Sequence, residues 1–250
     1  MKTFFTKFLF LSFVSLLFCN LFTDAQRQME YLNRHVVAVR TSSSQVFVSW
    51  TMLGTEYAQG ATYNLYRGST RIASNLSTTN YSDNTSSNST YSVSAVIGGS
   101  EQSRSATAGV MSNNYISVPL SPPSNHHAND CSVGDLDGDG DYEIVLKWEA
   151  NDSKDNSQSG VTDVVYLEGL ELNGTRLWRI NLGINIRAGA HYTQFMVYDL
   201  DGDGKAEVAC KTAPGTRSGT GSFLSNGPAA NDNDNADYRN SSTLHPVHGI

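Results

Sequence analysis

Apolar and polar residues alternate with a period of two through much of the first half of the chain, between Arg34 and Val110. This period places successive side chains on opposite faces of an extended segment, so it predicts half-buried β-strands. Four such strands are predicted at 36–39, 45–50, 63–67 and 91–96. Gly, Ser, Asn and Thr separate them, and the polar stretch 75–90 is predicted to be an exposed loop.

The short strands and an inward-facing Trp50 predict a β-sandwich of the fibronectin type III or immunoglobulin kind over residues 26–113. Prolines 119, 122 and 123 then indicate a linker or an edge strand. Residues 114–250 form the predicted second domain, with strands expected at 144–148, 164–170, 174–180 and 208–211. The fold class is therefore predicted to be all-β.

Two copies of an acidic loop occur in the second domain, 64 residues apart, and each runs directly into a predicted strand. Their carboxylates repel one another unless a cation lies among them, and calcium takes about six to eight oxygen ligands. The alternate spacing therefore predicts one calcium ion in each loop, with the residue at position 7 contributing its backbone carbonyl. The predicted ligands are Asp135, Asp137, Asp139, Asp141 and Glu143 in the first loop, and Asp199, Asp201, Asp203, Lys205 and Glu207 in the second.

Other calcium-binding folds fit this pattern less well. Gly140 and Gly204 allow the sharp turn that an EF-hand loop also needs. An EF-hand is excluded, however, because it requires a Glu at position 12 on an exiting helix, whereas Leu146 and Cys210 stand there within β-rich segments. A dockerin module is disfavoured because its paired loops lie closer together and lead into helices.

The repeated unit, a loop with about four strands, indicates the blades of a β-propeller. A propeller needs about four to eight blades, and residues 114–250 hold only the first of them. We therefore expect an incomplete propeller in this chain.

The N-terminus predicts export. Residues 1–25 combine Lys2 and Lys7, an apolar stretch at 8–18 and a small-residue end at Ala25, which is the pattern of a secretory signal peptide. No later segment is long and apolar enough to span a bilayer. Loss of the signal removes two lysines and one aspartate and changes the net charge from −7 to −8, so nucleic acid is not an expected partner. A secreted monomer is expected.

Cys131 and Cys210 are the two cysteines that remain after the predicted cleavage. They form either one disulfide or two small buried apolar side chains, and their spacing does not decide between these alternatives.

Several motifs accompany the acidic loops, namely 29–34 (MEYLNR), 63–67 (YNLYR), 128–130 (AND), 187–199 and 236–240. Together they resemble the rhamnogalacturonan lyases of polysaccharide lyase family 11. The resemblance implies a β-sandwich followed by an eight-bladed, calcium-rich propeller, and a secreted enzyme that cuts the rhamnose–galacturonate bond of rhamnogalacturonan I in pectin. It also implies that Asp130 joins the first calcium and that Asn129 and Glu149 contact the substrate.

The chain departs from the family pattern at three positions. Glu149 stands where the family usually has Asp, His35 where it generally has Gly, and Pro214 where it has Asp. The extra methylene of Glu149 makes its substrate contact the weaker of the two.

The lyase reaction removes the C5 proton of galacturonate and expels the C4 oxygen, and a cation at the uronate carboxylate would stabilise the developing charge. No residue of this chain is assigned as the base. The acidic loops are predicted to be structural, since protein oxygens fill their coordination. Lys147 and Lys211, at matched positions, are predicted to pair with loop carboxylates. The alternative function is a non-catalytic, calcium-stabilised propeller for carbohydrate binding or adhesion.

Overall fold

The computed structural model describes residues 30–155, 157–189 and 192–239, so the predicted signal peptide lies outside the described residues. The described part is all-β, as predicted, with only short helical segments. Its first eight strands are β1 (Val37–Ser42), β2 (Gln45–Ser49), β3 (Thr62–Arg67), β4 (Thr70–Leu76), β5 (Asn80–Asp83), β6 (Tyr91–Ile97), β7 (Ser100–Arg104) and β8 (Val110–Met111), and helix α1 spans Gly54–Tyr57.

These strands form two four-stranded sheets, in the orders β5-β2-β1-β8 and β4-β3-β6-β7. All pairs are antiparallel except β1 with β8, which is parallel. The alternation read from the sequence appears as burial, because Val46 and Val48 are fully buried while Phe47 between them is 38% exposed. Side chains from both sheets, including Val48 of β2 and Tyr63 of β3, share one apolar core.

The polar stretch 75–90 is not wholly a loop, which corrects the prediction. β4 continues to Leu76 and β5 pairs with β2 as an edge strand. The pairing is supported by buried Asp83, which accepts hydrogen bonds from Tyr91 Oη at 2.7 Å and from Arg67 at 2.9 Å. A polar edge strand of this kind carries little apolar periodicity, so the sequence pattern does not reveal it.

A buried ion pair lies where the chain enters the first half. Arg34 is 8% exposed and pairs with Glu56 of α1, which is 4% exposed. Glu56 also accepts hydrogen bonds from Leu53 N at 3.1 Å and Tyr63 Oη at 3.2 Å. Burial by itself raises the pKa of Glu56, but the hydrogen bonds and the charge of Arg34 together outweigh it and lower the pKa.

The described residues of the second half contain six further strands. They are β9 (His126–Gly134), β10 (Glu143–Ala150), β11 (Tyr166–Leu170), β12 (Arg176–Asn181), β13 (Phe195–Tyr198) and β14 (Glu207–Cys210), with a 3₁₀ helix at Gly227–Asn231. β9 to β12 form one antiparallel sheet in sequential order, and β13 pairs with β14 in a separate hairpin. Residues 112–125 form no strand, as expected of a linker. Within the described residues, no helix is long and apolar enough to cross a membrane.

Candidate metal centre

Each acidic loop closes a β-hairpin. The first loop joins β9 to β10, where Gly134 pairs with Glu143, and the second joins β13 to β14, where Tyr198 pairs with Glu207. The last acidic residue of each loop is therefore also the first residue of a strand. The strand pairing therefore fixes the backbone position of that last carboxylate in both loops.

In the first loop the carboxylates accept hydrogen bonds from backbone amides of the same loop. Asp135 accepts hydrogen bonds from Gly138 N at 2.6 Å and Gly140 N at 2.9 Å, while Glu143 accepts one from Leu136 N at 2.7 Å. The two outer aspartates also accept from backbone amides two residues further on, Asp137 from residue 139 at 3.1 Å and Asp139 from residue 141 at 2.8 Å.

The second loop repeats this network position by position. Asp199 accepts from Gly202 N at 2.6 Å and Gly204 N at 3.0 Å, and Glu207 accepts from Leu200 N at 2.8 Å. Asp201 and Asp203 accept from the amides of residues 203 and 205 at 3.1 and 2.9 Å. Two loops with one hydrogen-bond pattern indicate one local design used twice.

Carboxylate oxygens converge within both loops. One oxygen each from Asp135, Asp137 and Glu143 lie within 4.8 Å of one another, and the corresponding group in the second loop is Asp199, Asp201 and Asp203. Such a donor set, made only of oxygen, suits a hard cation such as calcium. The geometry brings Glu143 into the first group but leaves Glu207 outside the second.

The first group includes a buried carboxylate with other negative charges around it. Glu143 is 1% exposed. Burial raises the pKa of Glu143 to about 7, the Leu136 N–H opposes that rise, and the charges of Asp137, Glu171 and Asp139 add to it. A divalent cation among these oxygens would remove the cost of holding the carboxylate ionised, so the residues present fit a metal ion.

Glu171 is a neighbour of the first loop that the sequence reasoning missed. Burial first, and then the charges of Asp137, Asp139 and Asp141, raise its pKa. It follows directly after β11, whose residue Leu170 pairs with Ile144 of β10. The register between β10 and β11 brings Glu171 to the loop, so the local sequence around Glu171 does not predict this position.

The two loops contact each other. Lys205 of the second loop donates from Nζ to the carbonyl of Asp137 at 2.7 Å, and Ala206 N donates to the carbonyl of Asp135 at 2.7 Å. The lysine side chain therefore reaches the first loop, and the role of its backbone carbonyl in the second loop stays a prediction.

A segment ahead of β1 crosses both loops. We call this segment, Tyr31–His35, the strap. Tyr31 N donates to the carbonyl of Gly204 at 3.1 Å and Asn33 N to that of Gly140 at 2.9 Å, so the strap holds both loops at the same loop position. A side chain at residue 204 would overlap the Tyr31 ring, which makes glycine necessary there.

His35, the last residue of the strap, has a backbone conformation that suits the glycine which the family generally has at this position. Its φ is 41°, in the left-handed region that favours glycine. Its ring stacks on Tyr142 with centroids 4.9 Å apart, and Nε2 lies 3.1 Å from the carbonyl oxygen of Gly140. These contacts offset the backbone cost of a side chain at this position.

The predicted substrate residues lie further along the same hairpin. Asn129 is exposed on β9, whereas Glu149 on β10 is 3% exposed, with one carboxylate oxygen 3.5 Å from Lys147 Nζ. The fully buried Lys147 side chain also pairs with Asp130 at 3.1 Å, at an irregularity in the β9–β10 register. Lys147 thus pairs with strand carboxylates and not with loop carboxylates, which corrects that expectation.

Among the described residues, the converging group of the first loop is formed without Asp130. Its partner Lys147 lies four residues beyond Glu143 along β10, a distance of about 13 Å at the usual rise of a strand. Its assignment as a ligand of the first cation therefore gains no support from the geometry and stays a prediction drawn from the resemblance.

The two cysteines are free. Cys131 is exposed on β9 and Cys210 is partly buried at the end of β14, where burial raises the pKa of its thiol. The disulfide alternative is therefore not the arrangement seen, and only Cys210 acts as a packed apolar side chain.

Sequence comparisons place this architecture among known proteins. The model described as "Rhamnogalacturonan lyase family 11, C-terminal domain" matches residues 118–245, and the one described as "Rhamnogalacturonan I lyases beta-sheet domain" matches residues 27–111. Rhamnogalacturonan endolyase YesW of Bacillus subtilis (strain 168) is 55% identical over 228 residues, which cover 86% of this chain and 35% of YesW. Rhamnogalacturonan exolyase YesX of the same strain is 49% identical over 228 residues, covering 86% of this chain and 36% of YesX.

Solved structures show the same relationship. The crystal structure of rhamnogalacturonan lyase YesW has a TM-score of 0.78 at 54% identity, over 86% of this chain and 38% of that one. The rhamnogalacturonan lyase of Bacillus licheniformis has a TM-score of 0.78 at 51% identity, with the same coverages. The chain thus spans little more than a third of the length of these relatives.

Proposed function

The chain belongs to rhamnogalacturonan lyase family 11, and from this premise we propose that the protein is a secreted, calcium-dependent lyase that cleaves the rhamnose–galacturonate bond of rhamnogalacturonan I by β-elimination. The observation that carries the proposal is the pair of matched carboxylate loops within a chain 55% identical to an endolyase. Residues 26–113 would be the fibronectin III-like sandwich and residues 114–250 the first blades of the propeller. The sequential antiparallel sheet β9 to β12 supports that description of a blade.

Calcium is the proposed ion for both loops. Asp135, Asp137 and Glu143 would hold one ion and Asp199, Asp201 and Asp203 the other, because their oxygens already converge. Calcium bound there would supply charge neutralisation and rigidity. Export, which the sequence of residues 1–25 supports, would expose the loops to the calcium concentrations outside cells.

Along β10, the first loop lies well away from Glu149, one of the proposed substrate residues. Glu149 is six residues beyond Glu143 on β10, which corresponds to about 20 Å of strand. A cation in the loop would instead fix the β9–β10 hairpin that carries both Asn129 and Glu149. We therefore propose a positioning role for the loops and a direct saccharide contact for exposed Asn129.

Glu149 would act differently in this chain. Its carboxylate is buried against Lys147, and Lys147 in turn holds exposed Asp130 beside Asn129. The longer side chain, compared with the usual Asp, would thus serve to hold the lysine while Asn129 faces the polysaccharide. The base that removes the C5 proton is not assigned to any residue of this chain.

Ultraviolet absorbance during incubation with rhamnogalacturonan I tests the activity, because the unsaturated uronate product absorbs and the substrate does not. The assay is run with calcium and with a chelator, using the wild type, Asn129→Ala and the matched control Asn113→Ala, which changes an exposed asparagine of the linker region. We expect a calcium-dependent rise that Asn129→Ala reduces and Asn113→Ala does not.

Two other results would change the assignment. An absorbance rise that is unaffected by the chelator would remove calcium from the proposal. Retained polysaccharide binding without any absorbance rise would contradict the lyase and favour the alternative, a calcium-stabilised carbohydrate-binding propeller.

A further inference from the structure

The strap Tyr31–His35 connects the two halves of the molecule through alternating residues. Arg34 faces the sandwich, where it pairs with Glu56 and its carbonyl accepts a hydrogen bond from Thr51 N at 2.7 Å. Tyr31 and Asn33 face the acidic loops through backbone hydrogen bonds of 3.1 and 2.9 Å. One extended segment thus contacts the sandwich with one side and both loops with the other.

The loop atoms that the strap contacts are the carbonyls of the two position-6 glycines, Gly140 and Gly204. Each glycine donates its own N–H to the first aspartate of its loop, Asp135 at 2.9 Å or Asp199 at 3.0 Å. Each glycine residue therefore links a candidate ligand, through its N–H, to the strap, through its carbonyl. A shift of the loop backbone on cation binding must alter the strap contact, and the reverse is also true.

Side chains strengthen the contact at both loops. Asn33 Nδ2 donates to Asp141 Oδ1 at 2.5 Å in the first loop, and the Tyr31 ring packs against residue 204 in the second. The loops also contact each other through Lys205 Nζ and the carbonyl of Asp137 at 2.7 Å. The strap and the two loops form one continuous network of described hydrogen bonds.

We propose that the strap is a shared outer part of both cation sites, so that cation binding in the loops and docking of the sandwich onto them are thermodynamically linked. This proposal rests on the proposed calcium binding. It adds to the sites two positioning residues from outside the propeller region, Asn33 for the first loop and Tyr31 for the second.

The test combines calorimetric titration with calcium chloride and amide hydrogen exchange of the whole chain. In the wild type we expect calcium to slow exchange of the Tyr31 and Asn33 amides about tenfold. Tyr31→Ala is expected to weaken binding at one site, and Asn33→Ala at the other, by about fivefold or more each, which is the usual range of coupling. Each variant should also lose most of the slowing at the strap.

Matched controls separate linkage from general damage. Tyr57→Ala removes a tyrosine that is 80% exposed on α1, and Asn113→Ala removes an exposed asparagine. Both should keep wild-type calcium affinity and strap protection. The two strap variants contact different loops, so either one tests the linkage if the other fails to fold.

Three results would overturn the inference. Calcium binding with unchanged strap exchange would refute the linkage while leaving the metal sites intact. Wild-type affinity in both strap variants would do the same. Absence of calcium binding by the wild type would refute the metal proposal and the linkage together, so the two failures are distinguishable.

Discussion

Glu56→Gln tests whether the buried ion pair at the entry to the sandwich stabilises the protein. The change leaves Arg34, which is 8% exposed, charged and without its ionic partner, and it weakens the bonds from Leu53 N and Tyr63 Oη. Removal of one member of a buried pair costs about 3–5 kcal/mol. That is a large share of the total stability of a typical domain, which is about 5–15 kcal/mol.

The effect is measured by urea unfolding followed by fluorescence, to which Trp50 contributes because it lies in the same core, 5.6 Å from Tyr63 between ring centroids. At neutral pH we expect Glu56→Gln to lower the free energy of unfolding by this full amount. Because the folded-state pKa of Glu56 is lowered from 4.5, the stabilisation is complete above pH 4.5 and declines as the pH falls through the lowered value. The difference between wild type and variant should shrink in the same direction.

Arg71→Gln is the matched control, since it removes one charge from a pair between β4 and β7 in which the Arg71 side chain is 51% exposed and lies 3.6 Å from Glu101. Such surface pairs contribute little. Equal midpoint shifts for Glu56→Gln and Arg71→Gln would refute the reasoning that burial makes the first pair important.

Four further predictions concern the loops and their hairpin. Gly204→Ala should lower the free energy of unfolding, measured by thermal melts, by more than Gly221→Ala does. Both glycines have positive φ, 97° and 84°, but only a side chain at residue 204 would meet the Tyr31 ring. Similar losses in the two variants would show that the Tyr31 ring does not constrain the second loop. In chelator, the free energy of unfolding measured by urea titration should fall as the pH rises from 4.5 to about 7, because buried Glu143 must then ionise. Excess calcium should abolish this fall. A flat pH profile in chelator would contradict the prediction. Excess calcium at about 100 times its Kd should add about 2.7 kcal/mol per site, measured by the same titrations, and no gain would argue against the sites. Lys147→Met should lower the free energy of unfolding by about 3–5 kcal/mol, because it leaves Glu149 buried without its counter-charge. The double variant Lys147→Met with Glu149→Gln should recover much of this stability. Equal losses in both variants would show that the charge pair is not the cause.

Local sequence determined the apolar strands and the acidic loops. Val46 and Val48 stand at alternate positions and are both buried, and this spacing places them on one face because a strand turns successive side chains to opposite sides. The loops were equally readable, because their alternate aspartates need only neighbouring amides, such as Gly138 N for Asp135, to adopt their shape. Interactions between residues that are close in the chain can be predicted from the local sequence.

The tertiary structure alone decided the polar edge strands and the surroundings of the loops. β5 and the exposed β7 are strands because neighbouring strands pair with their backbones, a contribution that carries no side-chain periodicity. Glu171 and Tyr31 reach the loops only through strand register and chain path. Contacts between residues far apart in sequence depend on the closed fold, so no local pattern could place them.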